Sequence, residues 1–279
     1  MPSYHRPREL GDALAVLREG AITVIAGGTD YFPARVERPA NEELLDITAI
    51  AALRRIETTP SHFRIGAGVT WTDLIRADLP PCFDGLKLAA REIGGVQIQN
   101  AGTLAGNVCN ASPAADSMPN LLALDTEVEL ASTQGQRRLK LGEFVTGNRK
   151  TLRRPDELVT ALLIPRALEA SRSSFVKLGA RRYLVISIVM LAAVMEKQEG
   201  KVAAARIAVG ACSEVARRLP ALERALLGRP WDRTLAAVIE PSHLAGLSPI
   251  DDVRAGAAYR RDAAQVLLRR ALEALGEAA

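Results

Sequence analysis

The sequence predicts an α+β protein. Short β-branched runs recur from end to end, amphipathic helical spacings alternate with them, and no repeat or low-complexity tract interrupts the mixture. At 279 residues the chain is long enough for two modest domains, each with its own core. Hydrophobic residues at 48% and charged residues at 24% are globular proportions, which argues against wholesale disorder.

Each element has a local reason. Pro7 suits a first helical turn, and Leu10, Leu14 and Leu17 mark an amphipathic helix up to Glu19. Ile22-Thr23-Val24-Ile25 and Leu44-Leu45-Asp46-Ile47 read as strands, Thr48 caps a short helix over 49–52, and Phe63-Arg64-Ile65-Gly66 is a further strand. Thr70 caps a helix reaching Ile75, and residues 82–93 form another that ends at Gly94-Gly95. Pro113 and Asp116 suit a helix start ahead of Leu121, while 127–130 and 157–164 read as strands, the second closed by Pro165. The polar stretch 166–174 is the expected boundary between domains over 1–170 and 171–279. Beyond it, 174–178 and 186–195 fit either strands or buried helix, because periodicity does not separate the two in short apolar runs. Lys201 to Val209 reads as a strand, and helices are expected over 217–227, 232–239 and 257–276, the last with an apolar stripe through Ala264, Leu268 and Leu272.

Composition removes several function classes. Net charge is only +4, aromatics are 4%, and no basic stretch interleaves them as a base-stacking platform would, which argues against nucleic-acid binding. Cys82, Cys109 and Cys212 are far apart and form no CxxC pair, so neither a disulfide framework nor an iron–sulfur cluster is expected on this chain. His5, His62 and His243 lack ligand spacing, so no bound metal is expected. The N-terminus lacks a signal-peptide h-region, and the longest apolar run, Leu184 to Val194, is too short to span a membrane. A soluble, cytoplasmic protein is expected. No nucleophile–base pair or carboxylate dyad emerges, so no catalytic residue is assigned.

Two small-residue turns carry the chemistry. Ala26-Gly27-Gly28-Thr29-Asp30 follows a strand, and Gly102-Thr103-Leu104-Ala105-Gly106-Asn107 leads into Asn110-Ala111-Ser112-Pro113-Ala114-Ala115-Asp116. Missing Cβ atoms permit positive φ and let backbone N–H groups approach a ligand, an arrangement suited to pyrophosphate. Asp116 suits a sugar hydroxyl, or equally a helix start favoured by the dipole. The nearest Rossmann match, Gly66-Ala67-Gly68-Val69-Thr70-Trp71, puts Trp where a small residue is needed, and no GxxxxGK[ST] loop exists.

These two motifs, followed by Phe175-Val176-Lys177-Leu178-Gly179 with Arg181-Arg182, and by Pro249-Ile250-Asp251-Asp252-Val253-Arg254 with Tyr259-Arg260-Arg261, resemble the FAD-binding medium subunit of the molybdenum hydroxylases, the xanthine dehydrogenase and carbon monoxide dehydrogenase family. The resemblance implies a PCMH-type, vanillyl-alcohol-oxidase-like FAD-binding domain of two α/β subdomains, then a C-terminal α+β domain of the carbon monoxide dehydrogenase flavoprotein type. It implies non-covalent FAD held between them. Its first pyrophosphate loop falls on Val24, Ile25, Ala26, Gly27, Gly28, Thr29, Asp30 and Tyr31, and its second on Gly102, Thr103, Ala105, Gly106 and Asn107, with Ala105 where glycine is usual. Ser112 and Leu163 fall on further FAD contacts, and Asp116 on the carboxylate that takes ribityl or ribose hydroxyls. Lys177 matches a lysine near the isoalloxazine, where a cation stabilises the anionic reduced flavin; without that role it is an exposed strand-edge lysine. Tyr183 lies against the flavin or is a buried aromatic, and Ile93 stands where xanthine dehydrogenases carry an aromatic.

The resemblance also implies partners: a large subunit with molybdopterin and a small subunit with two [2Fe–2S] clusters, assembled as a dimer of heterotrimers. Electrons would reach this FAD from the clusters and leave to an external acceptor. Tyr183-Leu184-Val185 replaces the acidic residues of animal xanthine dehydrogenases, which weakens the case for NAD as that acceptor. Two rivals remain. One is a free-standing flavin oxidase or reductase of the vanillyl-alcohol oxidase type, with Cys109 the nearest residue for covalent attachment; the other is an assembly or binding subunit that kept the fold and lost the cofactor.

Overall fold

The computed structural model describes residues 3–35 and 41–277. In chain order the elements are β1 (Tyr4–His5), α1 (Leu10–Arg18), β2 (Thr23–Ile25), β3 (Leu44–Asp46), β4 (Ile56–Thr58), β5 (His62–Gly66), α2 (Trp71–Arg76), α3 (Asp84–Glu92), α4 (Val96–Ala101) and α5 (Leu104–Asn110). Then follow α6 (Ser117–Ala123), β6 (Glu127–Ser132), β7 (Gly135–Lys140), α7 (Leu141–Phe144), β8 (Val145–Gly147), β9 (Lys150–Thr151), β10 (Leu158–Pro165) and β11 (Arg172–Leu178). The chain closes with β12 (Val189–Gln198), β13 (Lys201–Gly210), β14 (Arg217–Arg218), α8 (Pro220–Leu226) and α9 (Ala257–Glu277). The α+β class expected from the sequence is what forms.

Contacts divide these elements into two compact units. The first gathers the described residues up to Ala77 with Gly95–Ala111 and Thr126–Ile164. It holds a parallel sheet in the order β1-β3-β2, a five-stranded sheet β4-β5-β10-β6-β7 and the β8-β9 pair. Central β10 is buried from Leu158 to Ile164, which is why its sequence is apolar but for Thr160, whose hydroxyl donates to Glu129 Oε1 at 2.9 Å. A capping box starts α2: Thr70 Oγ1 accepts from the Asp73 N–H, and the Asp73 carboxylate accepts from the Thr70 N–H, each at 3.1 Å.

The second unit gathers Asp78–Gly94, Ser112–Asp125 and the described residues from Pro165 onward. Its antiparallel sheet runs β11-β12-β13-β14. Val189, Leu191, Ala193 and Met195 of β12 join Ile207 and Val209 of β13 in one core with Leu268, Ala271 and Leu272 of α9. The alternate residues Met190, Ala192 and Val194 are buried too, and α6 lies against β12 and β13. Burial on both faces removes the period of two, so 186–195 reads ambiguously as sequence; the strand itself begins at Val189 and runs on to Gln198. Leu272→Ala, a truncation of a fully buried side chain in this core, is expected to cost about 2–5 kcal/mol, read as a lower urea midpoint.

Several expectations shift. The first helix begins at Leu10 rather than near Pro7, and residues 51–54 and 233–238 form 3₁₀ turns. Thr48 caps no helix; its N–H donates to Asp46 Oδ1 at 2.8 Å. The helix expected from 217 starts at Pro220, because Arg217–Arg218 pair with β13.

Asp252 organises the approach to α9. It accepts from the N–H groups of Arg254 at 2.8 Å and Ala255 at 3.2 Å, and from Arg260 Nη2 at 2.6 Å. The Arg254 N–H above all, with Arg260, holds its carboxyl down from the usual 3.8 to about 2. A pKa lower folded than unfolded gives stability that is present above the unfolded value and lost as pH falls through the folded one. Asp252→Asn is therefore expected to flatten the fall in melting temperature between about pH 4 and pH 2, checked by thermal melts across that range.

Candidate functional site

In the first unit, β2 ends at Ile25 and runs into Ala26-Gly27-Gly28-Thr29-Asp30. Gly28 takes φ 65°, a left-handed conformation that favours glycine. Gly27 is required by close approach, because a Cβ there would collide with the Ala101 carbonyl at the end of α4. Gly28 O accepts from the Phe32 N–H at 3.1 Å and closes the turn. Among the described residues, the N–H groups of Gly27, Gly28 and Thr29 donate to no protein acceptor, and all three residues are partly exposed. Such a cluster of free donors on a glycine turn suits anionic oxygens. Val24 and Ile25 lie on β2, with Ile25 buried. Asp30 accepts from Asn110 Nδ2 at 2.6 Å, and Tyr31 donates to Glu42 at 2.9 Å while Arg35 stacks 4.2 Å from its ring centre.

The second motif is a helix start rather than a turn. Gly102 follows α4, donating its N–H to Ile98 O at 2.7 Å and accepting from the Trp71 N–H at 3.1 Å. Thr103 is the N-cap of α5, its Oγ1 accepting from the Gly106 N–H at 3.0 Å. Gly102, Thr103 and Ala105 are buried, Asn107 is partly exposed and Gly106 is exposed. The two motifs meet in space: Gly27 abuts Ala101, and a Cβ on Gly102 would sit 3.3 Å from Thr29 Oγ1.

In the second unit, Asp116 and Lys177 form an ion pair, Nζ to Oδ2 at 2.7 Å, with side chains only 8% and 10% exposed. Ser187 Oγ donates to Asp116 Oδ1 at 2.5 Å, and Lys177 also donates to Val185 O at 3.3 Å. Asp116 stands at the N-cap of α6, yet its side chain makes no capping bond. Its carboxyl is pushed up by burial, an effect that Lys177 and then Ser187 partly offset. Lys177 is thus no solvated strand-edge lysine. Tyr183 is 58% exposed, with Arg182 5.2 Å from its ring centre, so it is no buried aromatic either. Ser112 is half-buried.

Leu163 sits inside β10 of the first unit with its side chain buried. Sequence reasoning gave Ser187 no role and did not foresee that Asn110, part of the second motif, pairs with Asp30, because both partners lie far away along the chain. Among the described residues no His, Cys, Asp and Glu cluster suits a metal ion, and no helix is long and apolar enough to cross a membrane. Cys82 and Cys212 are buried and free; Cys109, on α5, is exposed and free.

Comparison with known proteins covers nearly the whole chain. Residues 1–167 match the family model described as the FAD binding domain in molybdopterin dehydrogenase, and residues 174–275 match the CO dehydrogenase flavoprotein C-terminal domain. The chain is 29% identical to the xanthine dehydrogenase FAD-binding subunit of Escherichia coli O157:H7, over 97% of this chain and 94% of that one. It is 28% identical to the carbon monoxide dehydrogenase medium chain of Hydrogenophaga pseudoflava, over 97% and 96%. Among solved structures, the reconstituted CO dehydrogenase from Oligotropha carboxidovorans superposes with a TM-score of 0.91 at 28% identity, covering 100% of this chain and 99% of that one. The protein therefore belongs to the family of FAD-binding subunits of the molybdopterin dehydrogenases, and is an oxidoreductase subunit.

Proposed function

We propose that this chain binds FAD non-covalently and serves as the electron-transfer subunit of a molybdenum hydroxylase complex. It would accept electrons from [2Fe–2S] clusters on a small partner subunit and pass them to an external acceptor, while a large partner subunit with molybdopterin hydroxylates the substrate. A division near residue 170 into a FAD-binding and a C-terminal domain, and assembly as a dimer of heterotrimers, belong to the same proposal. The observation that carries it is the trio of free N–H donors at Gly27, Gly28 and Thr29 on a left-handed turn.

The residues present fit the group. In the first unit, the Val24 to Tyr31 segment would give backbone donors to the pyrophosphate, and exposed Gly106 would admit its approach at the second motif. Bound FAD supplies one- and two-electron redox chemistry that no amino-acid side chain here provides. In the second unit, Lys177 would bring positive charge to the flavin ring, held in one rotamer by Asp116 and Val185 O. Asp116 would reach a sugar hydroxyl only by sharing oxygens already taken by Lys177 and Ser187. Tyr183, exposed, is available to lie against the ring.

Affinity purification of the tagged chain from its native cells tests the proposal. Two further chains are expected, one with molybdopterin and the other with [2Fe–2S] clusters. Purification without partners, together with direct substrate oxidation or a flavin retained by Cys109 in the denatured mass, would establish the free-standing flavoenzyme instead.

A further inference from the structure

Arg260 is a buried cation in the first turn of α9, 3% exposed, beside Arg261 and Asp262, which face solvent. Its guanidinium reaches four acceptors: Asp252 Oδ1 at 2.6 Å through Nη2, the Ala255 carbonyl at 3.4 Å through Nε, and through Nη1 the carbonyls of Ile188 at 2.6 Å and Ala211 at 3.1 Å. A buried guanidinium is costly unless its donors are matched, so its planar fork constrains where those carbonyls stand.

The Ile188 and Ala211 carbonyls lead to one carboxylate. Ile188 follows Ser187, whose hydroxyl donates to Asp116 at 2.5 Å. Ala211, in the left-handed region at φ 59°, donates its N–H to Pro113 O at 3.1 Å, in the segment that leads into Asp116. Asp116 in turn holds Lys177 at 2.7 Å. We propose that Arg260 is a positioning residue: by pinning Ile188 and Ala211 it fixes the Ser187 hydroxyl and the Pro113 segment around Asp116, and so holds the Lys177 ammonium in place. Asp252, clamped by the Arg254 and Ala255 N–H groups, orients the fork. Lysine at position 260 would keep the charge but lose the fork, and with it the simultaneous hold on both loops.

The test is competitive acetylation of the full chain by acetic anhydride across pH, reading Lys177 against exposed Lys201 by peptide mass spectrometry. Variants are Arg260→Lys and Arg260→Gln, with Leu272→Ala on the same helix as a control for general loosening. Lys177 is expected to react at least about tenfold more slowly than Lys201 in the wild-type and control chains, a shielding that both Arg260 variants largely remove. Ser187→Ala should move Lys177 in the same direction. If Arg260→Gln fails to fold, Asp252→Asn, which keeps the arginine but not its orienting carboxylate, carries the same expectation at smaller amplitude. Unchanged Lys177 labelling in a folded Arg260 variant, or an equal rise in Leu272→Ala, would overturn the proposal.

A second readout, a raised FAD dissociation constant in Arg260→Lys but not in Arg261→Lys, rests on the FAD reading. If the wild-type chain binds no FAD, that reading fails, while the labelling still decides the role of Arg260.

Discussion

Replacing Gly28 with valine is expected to abolish FAD retention in a chain that still folds. At φ 65° a β-branched residue is strained by roughly 1–3 kcal/mol, so the turn opens toward an ordinary conformation and its donors no longer converge. The new Cβ would meet only the edge of the Phe32 ring, which is 58% exposed and free to swing away. The loss therefore falls on ligand binding more than on packing. Gly27→Ala is the contrasting case, since its Cβ meets the Ala101 backbone and damages the first unit itself. Flavin absorbance after gel filtration, with circular dichroism as the folding control, reads both. Normal flavin content in folded Gly28→Val would refute the loop assignment.

Asp116→Ala is expected to cost stability before it costs affinity. Lys177 is only 10% exposed, and removing its partner leaves a buried charge uncompensated, a loss of about 3–5 kcal/mol. Ser187→Ala removes a neutral donor and should cost about 1 kcal/mol. The double variant Asp116→Leu with Lys177→Met should recover much of the stability, because it removes both charges together. FAD affinity in Asp116→Ala should fall by roughly 1–3 kcal/mol in addition. Urea titration with and without FAD separates the two effects. A stability equal to wild type in the absence of FAD would mean that the ion pair does not form in solution.

The sequence revealed elements with a clean period and hid those without one. Buried β10 and the α9 stripe were legible from apolar spacing alone. Strand β7 was not, since Gly135-Gln136-Arg137-Arg138-Leu139-Lys140 is an exposed edge strand with almost nothing apolar to reveal it. Helix α4 was missed because Val96-Gln97-Ile98-Gln99 alternates as a strand does and the helix buries none of its residues. Thr103 three positions before Gly106 was an available N-cap signal, obscured by the small residues around it. At the site, the glycine turn was legible because steric permission is written in residue type. The Asp116–Lys177–Ser187 cluster was not, because position 187 shows as sequence only a polar break in an apolar run.

The central claim is that this chain holds FAD. The purified protein should carry about one non-covalent FAD per chain, seen as flavin absorption that moves quantitatively into the supernatant on denaturation. Colourless protein that takes up no flavin when FAD is added in excess would contradict the account.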